Sequence, residues 1–236
     1  MTAEPAGRAR AVFFDVDFTL IYPGPAFQGA GYREFCQRFG VEVDPDAFAR
    51  AVASASTLLQ SDDGLYDARL YIDYTRRIIE GMGGTGPRVE DAARAIYVEW
   101  AACHHFFLYD DVAEVLRQLH GSGYKIGLIT NSHRCLDAFQ SHFALEGLFS
   151  VAVSSIEHGY MKPHPSIFET ALRAAEVEPA AAVMVGDSFE HDVEGARRLG
   201  MHGVLVARSA EMPAGCPPDV AVIRSLRQLP ALLPTL

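Results

Sequence analysis

The 236-residue chain carries a net charge of −10 and is 49% hydrophobic, enough apolar material for one large domain or one domain with a sizeable insertion. It has no basic run to line a nucleic-acid groove or meet an anionic membrane, and no apolar stretch nears the roughly 18 residues that cross a bilayer. Cys36, Cys103, Cys135 and Cys216 lie far apart without a CxxC pair, which reads as reduced thiols in a cytoplasmic protein rather than disulfides or a zinc site.

The opening MTAEPAGRAR is short and polar, and it reads as a frayed arm, not a signal peptide. Ala11 to Phe14 is a continuous apolar run, predicted as a parallel strand buried on both faces. From about Tyr22 to His105 the patterns are helical only: PDAFARAVASASTLL, YDARLYIDYTRRIIEGMG and VEDAARAIYVEWAACHHF, with GMGGTGP at 81–87 as a break. Beyond them a helix is predicted over Asp111 to Leu119, a strand over Lys125 to Ile129 and a helix over Leu136 to Phe143. Val151 to Val153 reads as a strand, Pro165 to Ala175 as a helix and Ala182 to Val185 as a strand. A helix over Asp192 to Leu199 follows, with Gly200 as its C-cap, then strands at Gly203 to Val206 and Val220 to Ile223. Strand and helix taking turns implies right-handed βαβ units. The expected fold is therefore α/β: a doubly wound, parallel-sheet, Rossmann-like core over residues 1–21 and 106–236, with an all-helical domain over 22–105 inserted after the first strand.

Ligands of such sheets bind beyond the carboxyl ends of the strands. There the sequence sets Asp15, Asp17 and Thr19 (DVDFT), Thr130, Asn131 and Ser132 (LITNS), and Gly186, Asp187 and Ser188 with Asp192 (GDSFEHD). Lys162, in YMKPHPSIF, precedes the next helix. Taken singly, each has an ordinary reading as an N-cap, a turn or a solvated lysine. Together they would meet in one crevice, where Asp15 and Asp17, two positions apart in extended chain, point the same way. Two carboxylates about 4 Å apart repel by about 4 kcal/mol at an effective dielectric near 20. Three or four of them need counter-charge, and an oxygen-only ligand set suits Mg²⁺. Lys162 supplies a second positive charge, in a chain whose only other lysine is Lys125. A cation, a lysine and donors from Thr130 and Asn131 define a site for a compact dianion such as phosphate.

In order and spacing, DVDFT, LITNS, the lysine of YMKPHPSIF and GDSFEHD resemble the four motifs of the haloacid dehalogenase-like hydrolase superfamily, over about residues 11 to 207. The inserted helical stretch resembles the family's small cap domain. The resemblance implies an Mg²⁺-dependent phosphatase that hydrolyses a small-molecule phosphate monoester through an aspartyl-phosphate. Asp15 would be the nucleophile, and Asp17 the general acid and then base, its carbonyl joining the metal shell. Asp15 and Asp187 would be direct metal ligands, with Asp192 acting through water or as outer support. Thr130 and the Asn131 amide would hold the phosphoryl group, and Lys162 would neutralise it.

Two positions depart from the family pattern: Phe18 stands where glycine is usual, and His191 where asparagine is frequent. Asp17 argues against a metal-independent 2-haloacid dehalogenase, whose corresponding residue is generally not acidic. The absence of lysine from 21–105 argues against Schiff-base chemistry in the cap. A sugar-phosphate mutase of the same fold shares the four motifs, and a catalytically idle binding module should have lost at least one of Asp15, Asp17, Lys162 or Asp187. Tyr66, Arg69, Tyr71, Arg76 and Arg77 are the cap residues with donors for a substrate, though such a face more often packs or is solvated. The expected partner is a small phosphate ester, with no nucleic acid and no membrane, for a monomer or homodimer.

Overall fold

The computed structural model describes residues 9–59, 64–208 and 216–236, so residues 1–8 of the expected arm lie outside the described part. The chain forms two compact units: residues up to Tyr22 together with Leu108–Leu236, and Pro23–Phe107.

The first strand, β1 (Ala11–Phe14), is buried at every residue. The chain then runs through β2 (Ile21–Pro23) into the second unit, whose helices are α1 (Gly29–Gln37), α2 (Phe48–Ala55), α3 (Ala68–Gly81) and α4 (Val89–Trp100). Helix α1 is not among the predicted elements. It buries Tyr32, Phe35 and Cys36, but Gly29 and Gly31, poor helix formers, obscure the pattern. Asp67 caps α3 by accepting from the Arg69 amide. Ile72, Thr75, Ile78 and Ile79 of α3, and Val89, Ala92, Ala93 and Ile96 of α4, recur every three or four residues and form the buried stripes. Helices α2 and α3 approach so closely at Gly81 that a Cβ there would stand 2.8 Å from that of Ala51. Phe27, Trp100 and Phe106 form an aromatic cluster, so Trp100 packs within this unit.

The chain returns through β3 (Phe106–Leu108), which pairs with β2, and continues as α5 (Val112–Gly121), β4 (Lys125–Thr130), α6 (Leu136–His142) and β5 (Val151–Ser154). The short α7 (Ser155–His158), then α8 (Pro165–Ala175), β6 (Ala182–Gly186), α9 (Gly195–Arg197), β7 (His202–Val206), β8 (Ala221–Ile223) and α10 (Leu229–Leu232) complete it. Six strands form one parallel sheet in the order β5-β4-β1-β6-β7-β8, a Rossmann-like α/β core. Its central strands read as unbroken apolar runs because helices cover both faces. Helix α8 presents Ile167, Phe168, Ala171, Leu172 and Ala175 to Phe13, Ile129 and Met184 of the sheet.

The predicted helix over Asp192 to Leu199 forms differently. A π-helical turn spans Phe189–Glu194, and the α-helical part is only Gly195–Arg197. The sequence period of 3.6 does not reveal a widened turn, whereas the Asp192 side chain, drawn back toward Ser188 and Lys162, favours one. Among the described residues no helix is long and apolar enough to cross a membrane.

The connection from β1 eventually reaches β4 on one side, while β6 leads to β7 on the other. The order therefore reverses between β1 and β6, where a crevice opens at the strand ends. Phe14 is in register with Leu128 and with Val185, so the residues just past these strands arrive at one level.

Away from that crevice, Asp111 ties the carboxyl-terminal segment to the core. It is 1% exposed and accepts from both terminal nitrogens of Arg208 at 3.1 Å, from Ser225 Oγ at 2.6 Å and from the Leu226 amide at 2.8 Å. Burial pushes its carboxyl up, but the bonds from Arg208, Ser225 and Leu226 outweigh this and hold it below the usual range. A depressed carboxyl stabilises the fold above its unfolded pKa, near 3.9, and this contribution is lost as the pH falls through the folded value. Asp111→Asn is expected to cost about 3–5 kcal/mol at pH 7, and the difference from the parent should shrink toward pH 3. Urea unfolding at the two pH values checks both.

Candidate active site

Asp15 follows β1 directly, and its amide donates to the Val185 carbonyl of β6 at 2.9 Å. Asp187 follows β6, and Thr130 ends β4. The one-residue register between these strands brings the three positions to the same sheet end without any long-range adjustment.

Lys162 is the hub. Its side chain is 2% exposed, and Nζ donates to Asp15 Oδ1 at 2.6 Å, to Asp192 Oδ1 at 2.6 Å and to the Ile129 carbonyl at 2.7 Å. All three ammonium protons thus have acceptors. Burial alone would push the lysine pKa down; Asp15 and Asp192 overturn this and raise it, so Nζ stays charged. The Lys162 backbone is fixed as well: its amide donates to Asn131 Oδ1 at 2.7 Å, and Asn131 Nδ2 donates to its carbonyl at 2.9 Å. The Asn131 side chain thus clamps the lysine loop, a role that its place in a TNS triplet does not reveal.

The carboxylates of Asp15, Asp187 and Asp192 offer ligand atoms all within 4.8 Å of one another. Burial, and after it the field of Asp192 and Asp187 against Lys162, raises the Asp15 pKa well above its ordinary value. Burial and the neighbouring Asp192 push Asp187 up to about 7. One ammonium does not balance three carboxylates. The crowding of oxygen acceptors, with Asp15 and Asp187 destabilised as anions, fits a hard divalent cation. Asp17 stands apart from the other acids: its Oδ1 accepts from Arg134 Nη2 at 3.0 Å. Its side chain therefore makes no part of the three-carboxylate group.

Asp192 uses its two oxygens differently. Oδ1 meets Lys162, while Oδ2 accepts from the Ser188 amide at 3.0 Å. Ser188 Oγ in turn accepts from the His191 amide at 3.2 Å, so this turn is capped reciprocally. Gly186 makes room for it, since a Cβ there would stand 2.1 Å from Asp192 Oδ2. Thr19 donates to Asp187 Oδ1 at 3.2 Å, and Thr130 is buried at the end of β4. His191 is half-buried beside this turn, and burial lowers its pKa.

Phe18 adopts φ +64, the left-handed region that glycine occupies without penalty, and the residue is 45% exposed. Its amide closes the turn by donating to the Ile21 carbonyl at 2.7 Å. In the second unit, Tyr66 and Tyr97 share a 2.6 Å hydroxyl contact and Tyr71 stacks near Tyr97. Arg69 and Arg76 are engaged in ion pairs with Glu90, Asp73 and Glu80. These pairs are exposed and contribute little to stability.

The sequence profile of the haloacid dehalogenase-like hydrolase family matches residues 9–200. The chain is 37% identical over 216 residues to the glyceraldehyde 3-phosphate phosphatase of Methanopyrus kandleri, covering 84% of each protein. It is 32% identical over 213 residues to the ribulose-1,5-bisphosphate 5-phosphatase of Halopiger xanaduensis, covering 87% of this chain and 88% of that one. Among solved structures, the HAD-hydrolase YfnB of Bacillus subtilis, crystallised with magnesium, shares the fold at a TM-score of 0.78 and 16% identity, over 96% of this chain and 99% of that one. The fold is a Rossmann-like α/β core whose crevice carries an acidic, lysine-centred site. The chain belongs to the haloacid dehalogenase-like hydrolase family and is an enzyme of that class.

Two substitutions probe this geometry. Gly186→Ala should displace Asp192, costing about 1–3 kcal/mol as an overpacked core does, read as a lower urea midpoint. Phe18→Gly removes a left-handed strain of about 1–2 kcal/mol at an entropy cost of about 0.5–1 kcal/mol. Because the partly buried ring also loses its contacts, the two effects largely cancel, and the melting temperature should shift by no more than a few degrees in calorimetry.

Proposed function

We propose that the enzyme is an Mg²⁺-dependent phosphatase acting on a small phosphate monoester through an aspartyl-phosphate on Asp15. The observation that carries this reading is the convergence of Asp15, Asp187 and Asp192 around one buried, charged Lys162. The names of the two phosphatase relatives support it, and they favour a phosphorylated small sugar as the substrate class. Asp15 and Asp187 would hold the cation by their side chains and Asp17 by its carbonyl, with Asp192 supporting from outside. When bound, the ion supplies charge neutralisation for the carboxylates and the phosphoryl oxygens.

In the first step a carboxylate oxygen of Asp15 forms a bond to phosphorus as the bond to the leaving alcohol oxygen breaks. Lys162 keeps that carboxylate oriented and offsets the charge gathered around the phosphoryl group. Asp17 gives its proton to the departing oxygen and then takes one from the water that hydrolyses the acyl phosphate. Thr130 Oγ1 and the Asn131 amide would bind phosphoryl oxygens. The helical unit Pro23–Phe107 would serve as the cap, excluding water until the alcohol has left. The presence of Asp15, Asp17, Lys162 and Asp187 together weighs against an idle module, and Asp17 against dehalogenation.

The test is hydrolysis of p-nitrophenyl phosphate with Mg²⁺ and with a chelator. Release is expected only with the metal, and Asp15→Asn should keep its circular dichroism while losing about 10³-fold or more in kcat. Failure to release at any divalent concentration, or substantial turnover by Asp15→Asn, would overturn the assignment.

A further inference from the structure

Arg134 lies two residues past the LITNS stretch, where nothing in the sequence pattern marked it. It is the largest fully buried side chain among the described residues, with its side chain 0% exposed. A guanidinium is among the costliest groups to bury, and it is retained in such places only when paired and hydrogen-bonded. Here Nη2 donates to Asp17 Oδ1 at 3.0 Å, and the Arg134 amide donates to Ser132 Oγ at 3.1 Å. The side chain therefore runs inward from the loop that follows Thr130 and Asn131 and ends on Asp17. That carboxylate follows β1 by three residues, in a turn closed by the amide of Phe18.

We infer that Arg134 is a positioning residue for the proton-transfer step: it fixes the Asp17 carboxylate so that one oxygen is held and the other meets the leaving-group oxygen. This rests on the phosphatase reading given above and extends it to a residue outside the four motifs. The geometry supports it in three ways. Among the described residues the guanidinium reaches Oδ1, one oxygen of the two, and a carboxylate held at one oxygen can present the other. The donor comes from a different strand end than Asp17, so it sets the direction of that side chain independently of the β1 turn. Finally, the guanidinium is always charged and fully buried, so its donor is held in one place opposite Asp17, where an exposed lysine would move.

A residue that acts through the general acid matters most where the leaving group is a strong base and needs a proton. It matters least where the departing oxyanion is already stable. Phenyl phosphate and p-nitrophenyl phosphate present the same ring with leaving groups of different basicity. With Mg²⁺ present, Arg134→Met is expected to lose about ten-fold more kcat/KM on phenyl phosphate than on p-nitrophenyl phosphate, within the range that general-acid groups contribute. Asp17→Asn should show the same selective loss, and the double variant should be no worse than Asp17→Asn alone, because the two residues act as one unit. Arg134→Lys, which keeps the charge and a donor for Asp17, should recover part of the phenyl phosphate rate. Thermal melting of each variant separates folding from chemistry, and Arg134→Lys serves as the second reading where Arg134→Met is unstable.

Equal losses on both substrates, or an additive double variant, would overturn the inference while wild-type turnover of both leaves the phosphatase reading standing. A wild-type chain inert toward both substrates with Mg²⁺ would overturn the two together.

Discussion

The site is organised around one ammonium group that has no water to fall back on. Lys162 Nζ gives its three protons to Asp15, Asp192 and the Ile129 carbonyl, all at 2.6–2.7 Å. Each acceptor sits on a different segment: the end of β1, the π-helical turn after β6, and β4. Removing a buried charge from water costs several kcal/mol, which only close partners can offset. The lysine therefore ties three strand ends to one point, and any displacement of them leaves a buried charge uncompensated.

That constraint explains features that otherwise look unrelated. Asn131 clamps the backbone of the lysine loop on both sides, which keeps Nζ from drifting. Gly186 lacks a side chain because Asp192 must come close enough to reach the ammonium. The chain widens into a π-turn at Phe189–Glu194, and the side chain of Asp192 in that turn reaches both Lys162 and the Ser188 amide. The raised pKa values of Asp15 and Asp187 follow from burial together with the surplus of carboxylates over the single ammonium. A site so arranged is electrostatically incomplete on its own, which is the condition a bound cation relieves.

A second network is separate from the first and mostly mechanical. Asp111 joins Arg208, Ser225 and Leu226, and Arg208 also lies over the Tyr109 ring at 3.6 Å and donates to the Thr19 carbonyl at 2.7 Å. The turn that begins with Asp17 is thereby braced from the far end of the chain. Phe18 holds a left-handed backbone within that turn, a strain the surrounding bonds over-determine.

The alternation of apolar runs with 3.6-period stretches was enough to place the strands of the main sheet and most of the helices between them, because burial on both faces writes itself into consecutive residues; the order of the strands came only from the structure. The acidic residues and the lysine were legible for a related reason. They stand at strand ends, where an apolar run stops at a charged residue. Helix α1 and the π-turn were not legible, since glycines weaken one pattern and a widened turn has no period of its own. Arg134 and the Asn131 side chain were also hidden. An arginine after a turn and an asparagine in a TNS triplet look like solvated or capping residues until strands from distant parts of the chain are laid side by side. The sequence by itself determined which residues could be buried and where each strand would end. Only the tertiary structure decided which charges face one another, because pairing depends on distances between segments far apart in the chain, and local pattern carries no information about those.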